Sequence, residues 1–218
     1  MTSFIDTLAY TISSRSRLKK FQQFLQLTDP RPEESLVDIG VNTEEYSATD
    51  NYLEKHYLVP ENITAVGIED GTLFKTRYPA IPYHRIVADQ PLPFDDNAFA
   101  IAYSNAVIEH VGDRSKQLRF LCEMYRISRR GYLTTPNRYF PIEPHTRVPL
   151  LHMLLSKRAF DRFLLLIGKS WATGEYMHCL SEHELRSLCE EAGLRDFTII
   201  RNRFFGFTMT FTLIWRKY

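Results

Sequence analysis

Leu36-Val37-Asp38-Ile39-Gly40-Val41-Asn42 has the pattern of a short buried strand ending in an acid, a glycine and a small polar residue. Two similar runs follow. Ile63 to Ile68 ends at Glu69, with Asp70 beside it, and His84 to Ala88 is followed by Asp89 and Gln90. Three acids at the ends of successive strands would lie along one edge of a parallel sheet, the edge where open α/β sheets take their ligands. A neutral or cationic ligand rich in hydroxyls suits such an edge.

The elements around these runs alternate. Residues 3–27 carry apolar side chains at helical spacing, including Leu18, Phe21, Phe24 and Leu25. Arg15, Arg17, Lys19 and Lys20 form a basic cluster within them, a solvated face in the simplest reading and an anion or membrane contact in the sharper one. Residues 43–50 form a polar loop, and Asp50 is expected to cap a short helix over 51–57. Thr72 opens another short helix. A fourth strand is expected over 98–103, a helix from Asp113 to Ser128, and a fifth strand over 131–135. Residues 138–180, rich in proline and aromatic residues, suggest a cap or lid on the core. Ser181-Glu182-His183-Glu184 is a capping box, with Gly193 as the stop of its helix. Phe197–Arg203 and Phe207–Trp215 then form an antiparallel pair around Gly206. The pattern predicts an α/β sandwich with a mostly parallel sheet and a closing hairpin.

Bulk properties narrow the function. The 218 residues suit one domain, and a net charge of +1 gives no electrostatic case for nucleic acid. Cys122, Cys179 and Cys189 have neither disulfide nor zinc spacing, which favours buried thiols, a reducing cytoplasmic compartment and no metal. No signal-peptide core is evident at the N-terminus. The apolar window 148–167 is broken by Lys157, Arg158, Asp161 and Arg162, so it fits a lid helix or a peripheral membrane element better than a spanning one.

Taken together, Asp38-x-Gly40, Val66 to Glu69, Ala88 to Gln90, Leu92 to Phe99 (LPFDDNAF) and Tyr103 to Val111 (YSNAVIEHV) resemble the class I S-adenosylmethionine-dependent methyltransferases. The resemblance covers residues 33–137, with a weaker echo over 181–193; Thr134 to Arg138 is similar to a loop of methyltransferases found near glycan-modification genes. It implies a Rossmann-like three-layer sandwich whose seven-stranded sheet inserts its last strand antiparallel between two others. It also implies S-adenosyl-L-methionine as cofactor and methyl transfer to a small-molecule, glycan or lipid-linked acceptor.

Residue by residue, the resemblance assigns Asp38, Gly40 and Asn42 to the turn beside the carboxypropyl and ribose parts of the cofactor. Glu69 falls to the ribose hydroxyls, with Asp70 beside it among the cofactor-binding residues, Asp89 and Gln90 to adenine, Ser104 and Asn105 to the methionine moiety, and His110 to the active-site floor. Asn137, Arg138, His145 and His152 are substrate candidates, and His145, after the Thr-Pro-Asn loop, is the first choice of base. The chain departs from the usual Asp-x-Gly-x-Gly-x-Gly in keeping only Gly40. Asn42 stands at the second glycine, where its tolerance of positive φ would keep the turn tight. Ala100 replaces a common aspartate. The glycine loss also admits a second reading, a non-catalytic interaction module on the same fold.

Overall fold

The computed structural model describes residues 4–141, 155, 157–168, 170 and 177–217, with side chains from residue 14 onward except that of 157. Seven strands form one sheet in the order β3-β2-β1-β4-β5-β7-β6. They are β1 (Leu36–Ile39), β2 (Ile63–Gly67), β3 (Tyr83–Arg85), β4 (Phe99–Asn105), β5 (Ser128–Pro136), β6 (Phe197–Phe204) and β7 (Phe207–Arg216). The helices are α1 (Phe4–Thr28), α2 (Tyr52–His56), α3 (Thr72–Arg77), α4 (Arg114–Ile127), α5 (Lys157–Leu166) and α6 (Glu182–Glu191). β1 pairs in parallel with β2 and β4, β2 with β3, and β6 runs antiparallel to β7. This is the α/β architecture expected from the alternating pattern. The chain divides into two compact units, Met1–Tyr103 with Arg126–Tyr132, and Ser104–Tyr125 with Leu133–Lys217.

In the first unit, β1 is buried along its whole length, as an interior parallel strand covered on both faces should be. α1 sets Phe24 edge-on against Tyr103 (5.0 Å) and Tyr132 (5.5 Å), and the Tyr132 hydroxyl donates to the Lys20 carbonyl (2.9 Å). Burying an aromatic side chain of this size stabilises by about 2–3 kcal/mol. The inward stripe of α1 differs from the expected one. Leu18 and Leu25 are exposed, whereas Phe21, Phe24 and Thr28 are buried. Arg17 lies four residues before Phe21 and seven before Phe24, so it continues that stripe, half-buried, instead of joining a solvated face. The Leu92–Phe99 turn is held by Arg126, whose guanidinium donates to the Phe94 carbonyl (2.7 Å), the Leu92 carbonyl (3.0 Å) and Asp96 (2.9 Å). β3 stops at Arg85, short of the expected Ala88, and Asp89 sits beyond it at a left-handed φ of 64°.

In the second unit, Asp113 caps α4 as expected, its Oδ1 accepting from the Lys116 N–H (3.1 Å). The Ser181 capping box is formed on both sides, with Ser181 Oγ accepting from the Glu184 N–H and Glu184 Oε2 accepting from the Ser181 N–H (2.7 Å). Phe205 and Gly206, at φ 47° and 83°, make the two-residue turn whose twist suits a hairpin. α5 is the helix placed within the expected cap; residues 142–154, 156, 169 and 171–176 of that segment lie outside the described residues. Of the three thiols expected inside, Cys189 is buried, while Cys122 and Cys179 are partly exposed.

Candidate functional site

The end of β1 is organised by a glycine and two carboxyls. Gly40 takes φ 97°, a conformation a side chain would strain, and its N–H donates to the Val66 carbonyl (2.8 Å). Asp38, one residue before Ile39, is 7% exposed. Glu54 of α2 is 5% exposed. No N–H or hydroxyl among the described residues donates to either Glu54 oxygen. Burial of both carboxyls disfavours their charged forms. Burial pushes Asp38 well up and Glu54 adds to it, against the pull of Arg17. Burial also raises Glu54.

The loop that stands where further glycines are usual is built from side-chain bonds. Asn51, at φ 46°, accepts from the Asn42 N–H (3.0 Å) and donates back to the Asn42 carbonyl (2.8 Å). The left-handed residue is therefore Asn51, and Asn42 does not take the positive φ expected of it. Asp50 leaves α2 uncapped by its side chain and instead accepts from the Tyr46 and Ser47 N–H groups (2.9 and 3.0 Å), because the chain curls back before the helix starts. Glu45 gathers Lys55 (2.7 Å), Arg77 (2.8 Å), Asn51 (3.0 Å) and the Tyr78 hydroxyl.

Beyond β2, Thr43 donates its hydroxyl to Glu69 Oε2 (2.5 Å), and Tyr83 donates to the Glu69 carbonyl (2.8 Å). Glu69 is exposed, and its Oε1 has no donor among the described residues. Tyr83 also fills the space over Gly67 and Gly71, where added Cβ atoms would come within 2.6 and 2.1 Å of its side chain. Asp70 accepts from the Thr72 N–H (2.9 Å) and starts α3; its bonds from Thr72 hold it below the usual carboxylate range. Asp89 and Gln90 are exposed on the turn after β3.

In the second unit, Ser104 is buried at the end of β4, and Asn105 accepts from the Thr134 hydroxyl (2.6 Å). His110 is exposed on a one-turn 3-10 helix, Ile108–His110, whereas Glu109 beside it is fully buried and accepts from the Thr135 hydroxyl (3.2 Å). Asn137 spends its side chain on the fold, donating to the Thr208 carbonyl (2.8 Å) and accepting from the Tyr139 N–H (3.1 Å). Arg138 pairs with Glu184 (2.6 Å) and the Cys179 carbonyl (3.0 Å). His145, His152 and Trp171 lie outside the described residues. Sequence reasoning missed Glu54 and Tyr83, and it placed Thr43 in the loop rebuilt for the methionine end without foreseeing its bond to Glu69. Arg17 alone of the unforeseen neighbours had a signal, its place on the stripe of Phe21, Phe24 and Thr28.

Among the described residues no three His, Cys, Asp or Glu side chains could together hold a metal ion, and no helix is long and apolar enough to cross a membrane.

Residues 37–134 match the model of a methyltransferase domain family. A SAM-dependent methyltransferase of Methanosarcina mazei is 18% identical, with 86% of this chain and 94% of that one covered and a TM-score of 0.55. One from Aquifex aeolicus is 14% identical over 89% and 87%, at 0.56. The magnesium protoporphyrin IX methyltransferase of Synechocystis, solved with bound SAH, is 11% identical over 100% and 89%, at 0.58. No curated protein matches the sequence. The fold is that of the class I methyltransferases, and the match to the methyltransferase domain family spans a little under half of the chain.

Proposed function

We propose that the acids after β1, β2 and β3 carry S-adenosylmethionine and that the chain passes its methyl group in line to a small-molecule, glycan or lipid-linked acceptor. The observation that carries this reading is Glu69, an exposed carboxylate aimed by Thr43 with one oxygen left for a ligand. A carboxylate can accept from both hydroxyls of a ribose at once. Asp70 stands beside it, Asp89 and Gln90 suit the adenine edge, and the Gly40–Asn42 turn admits close approach of the methionine end. When bound, the cofactor supplies an electrophilic methyl on a sulfonium; the chain's task is to position and desolvate the nucleophile. For a hydroxyl or amine acceptor a histidine base serves, His145 first and His110 second.

Within the acceptor set, the lipid-linked member is favoured by α5. Leu165, Leu166 and Ile167 are 56%, 86% and 43% exposed at its end, with Arg158 and Arg162 also exposed on it. Such a helix suits a headgroup boundary.

Calorimetry with S-adenosylmethionine and S-adenosylhomocysteine tests the cofactor reading. Micromolar binding abolished by Glu69→Ala is the expected result. No binding at millimolar ligand sinks it and leaves the second reading, an interaction module whose glycine motif has been replaced by the Asn42–Asn51 pair.

A further inference from the structure

The hairpin joining β6 to β7 ends in Phe204-Phe205-Gly206-Phe207, a sequence at odds with its turn. Phe204 pairs with Phe207, so Phe205 and Gly206 are the two loop residues, at φ 47° and 83°. A two-residue hairpin turn with positive φ at both places favours Asn-Gly, because a bulky side chain is strained in the left-handed region. Packing does not hold Phe205 there. It is 87% exposed, and its ring contact among the described residues is with its own neighbour Phe204 (4.6 Å). A Cβ added at Gly206 would meet nothing within 4 Å, so the tip stands clear of the described residues. A large apolar side chain kept under strain and turned to solvent points to a use outside the fold.

The surroundings of the tip identify the partner. Phe207 is exposed as well, and so is Tyr139, which Asn137 ties to the same hairpin. Asn137 accepts from the Tyr139 N–H (3.1 Å) and donates its own N–H to the Met209 carbonyl (3.0 Å) and its side-chain amide to the Thr208 carbonyl (2.8 Å). Between Phe197 and Arg216 the hairpin holds Arg201, Arg203 and Arg216 and no acid. Arg203, two residues before Phe205, is exposed and makes no ion pair among the described residues. α5, in the same compact unit, repeats the combination, with Leu165, Leu166, Arg158 and Arg162 all exposed. A convex apolar tip needs no preformed cavity in a bilayer, where aromatic side chains settle at headgroup level and arginines meet lipid phosphates. The unpaired arginine favours an anionic surface.

We propose that the Phe204–Phe207 tip is a membrane anchor that enters the headgroup boundary of an anionic bilayer and brings Asn137, the substrate candidate bonded to the same hairpin, to the lipid surface. This deepens the lipid-linked reading above and rests on it, while the docking itself needs neither cofactor nor turnover.

Cosedimentation with vesicles tests the anchor. The native chain is expected to bind vesicles of equal parts phosphatidylcholine and phosphatidylglycerol, to bind pure phosphatidylcholine less, and to be released as salt is raised. Phe205→Asn should lower binding to the mixed vesicles roughly tenfold, the effect of losing one buried aromatic ring, and adding Phe207→Ser should deepen the loss. Phe205→Asn also supplies the residue that the turn prefers, so it should raise the unfolding midpoint by roughly 2–4 °C and leave S-adenosylhomocysteine binding unchanged. A loss of vesicle binding in a more stable chain cannot come from misfolding. Vesicle binding unchanged in Phe205→Asn overturns the anchor; if Leu165→Ser with Leu166→Ser then abolishes it, the contact belongs to α5 and the lipid-linked reading stands. No vesicle binding by the native chain overturns the anchor and the lipid-linked reading together, with the cofactor reading still decided by calorimetry. Self-association of the native chain that Phe205→Asn abolishes, without vesicle binding, overturns the anchor in favour of a second copy as the partner.

Discussion

Thr43 decides where Glu69 points. Its hydroxyl is buried and donates to one carboxylate oxygen across 26 residues of sequence, so the other is presented in a fixed direction. Thr43→Val keeps the shape and removes the donor. A hydrogen bond to a charged group contributes about 1.5–3 kcal/mol, less where the acceptor meets water, so S-adenosylhomocysteine affinity should fall roughly tenfold with little change in the unfolding midpoint. Calorimetry checks this, and Thr43→Ser should restore binding. At Asp38 and Glu54 the prediction is a pH dependence. Both folded-state values are raised, so the folded chain holds more protons than the unfolded one. Stability therefore falls as pH rises from the unfolded carboxylate range of about 4 through the raised values, then levels. Glu54→Gln should remove that fall and stabilise the chain more at mildly alkaline than at mildly acidic pH. Urea unfolding series that show the larger gain on the acidic side would refute the raised carboxyls.

The loop between β1 and α2 is the element that departs most from what its glycine-poor sequence suggests. Glu45 joins Lys55, Arg77, Tyr78 and Asn51, and Asn51 joins Asn42, so the loop is fixed by side chains where a glycine-rich turn would be fixed by backbone. Burial pushes the Glu45 carboxyl up, yet the bonds from Lys55, Tyr78 and Asn51 outweigh it and hold it below its ordinary value. Its stabilisation is present above the unfolded carboxylate range and lost as pH falls through that lowered value. Glu45→Ala should cost about 1–3 kcal/mol in denaturant unfolding and should also weaken cofactor binding, because Thr43 rides on the same loop. A stability loss with unchanged affinity would separate the loop from the site. The elements with local signals were legible in the sequence. Examples are the buried run of β1, the Asp113 cap, the Ser181–Glu184 box and the turn at Gly206. Features set by partners far along the chain were not. Asp50 offers a good helix cap in isolation but is taken by Tyr46 and Ser47. β3 ends early, at the sheet's outer edge. Glu54 looks like any solvated helix glutamate, yet the fold buries it.

At the scale of the molecule, the strand order β3-β2-β1-β4-β5-β7-β6 was legible through resemblance rather than through periodicity. Alternating apolar runs announce strands, but nothing local says that β7 lies between β5 and β6. That order places β1, β2 and β3 side by side, so the acids that follow them come from adjacent parallel strands. A ligand held by those strand ends binds the folded chain and not the unfolded one, and so must raise global stability. With S-adenosylhomocysteine at a hundred times its dissociation constant the gain is about 2.7 kcal/mol. For a chain of this length that is a rise of roughly 5–10 °C in the unfolding midpoint. Calorimetric or fluorescence melts check it. The shift should grow with ligand concentration in the native chain, shrink for 5′-methylthioadenosine, and vanish in Glu69→Ala at the same ligand concentration. A shift that survives in Glu69→Ala would put the ligand somewhere other than the strand ends. No shift in the native chain would mean that the fold has kept the sheet of a methyltransferase without its cofactor.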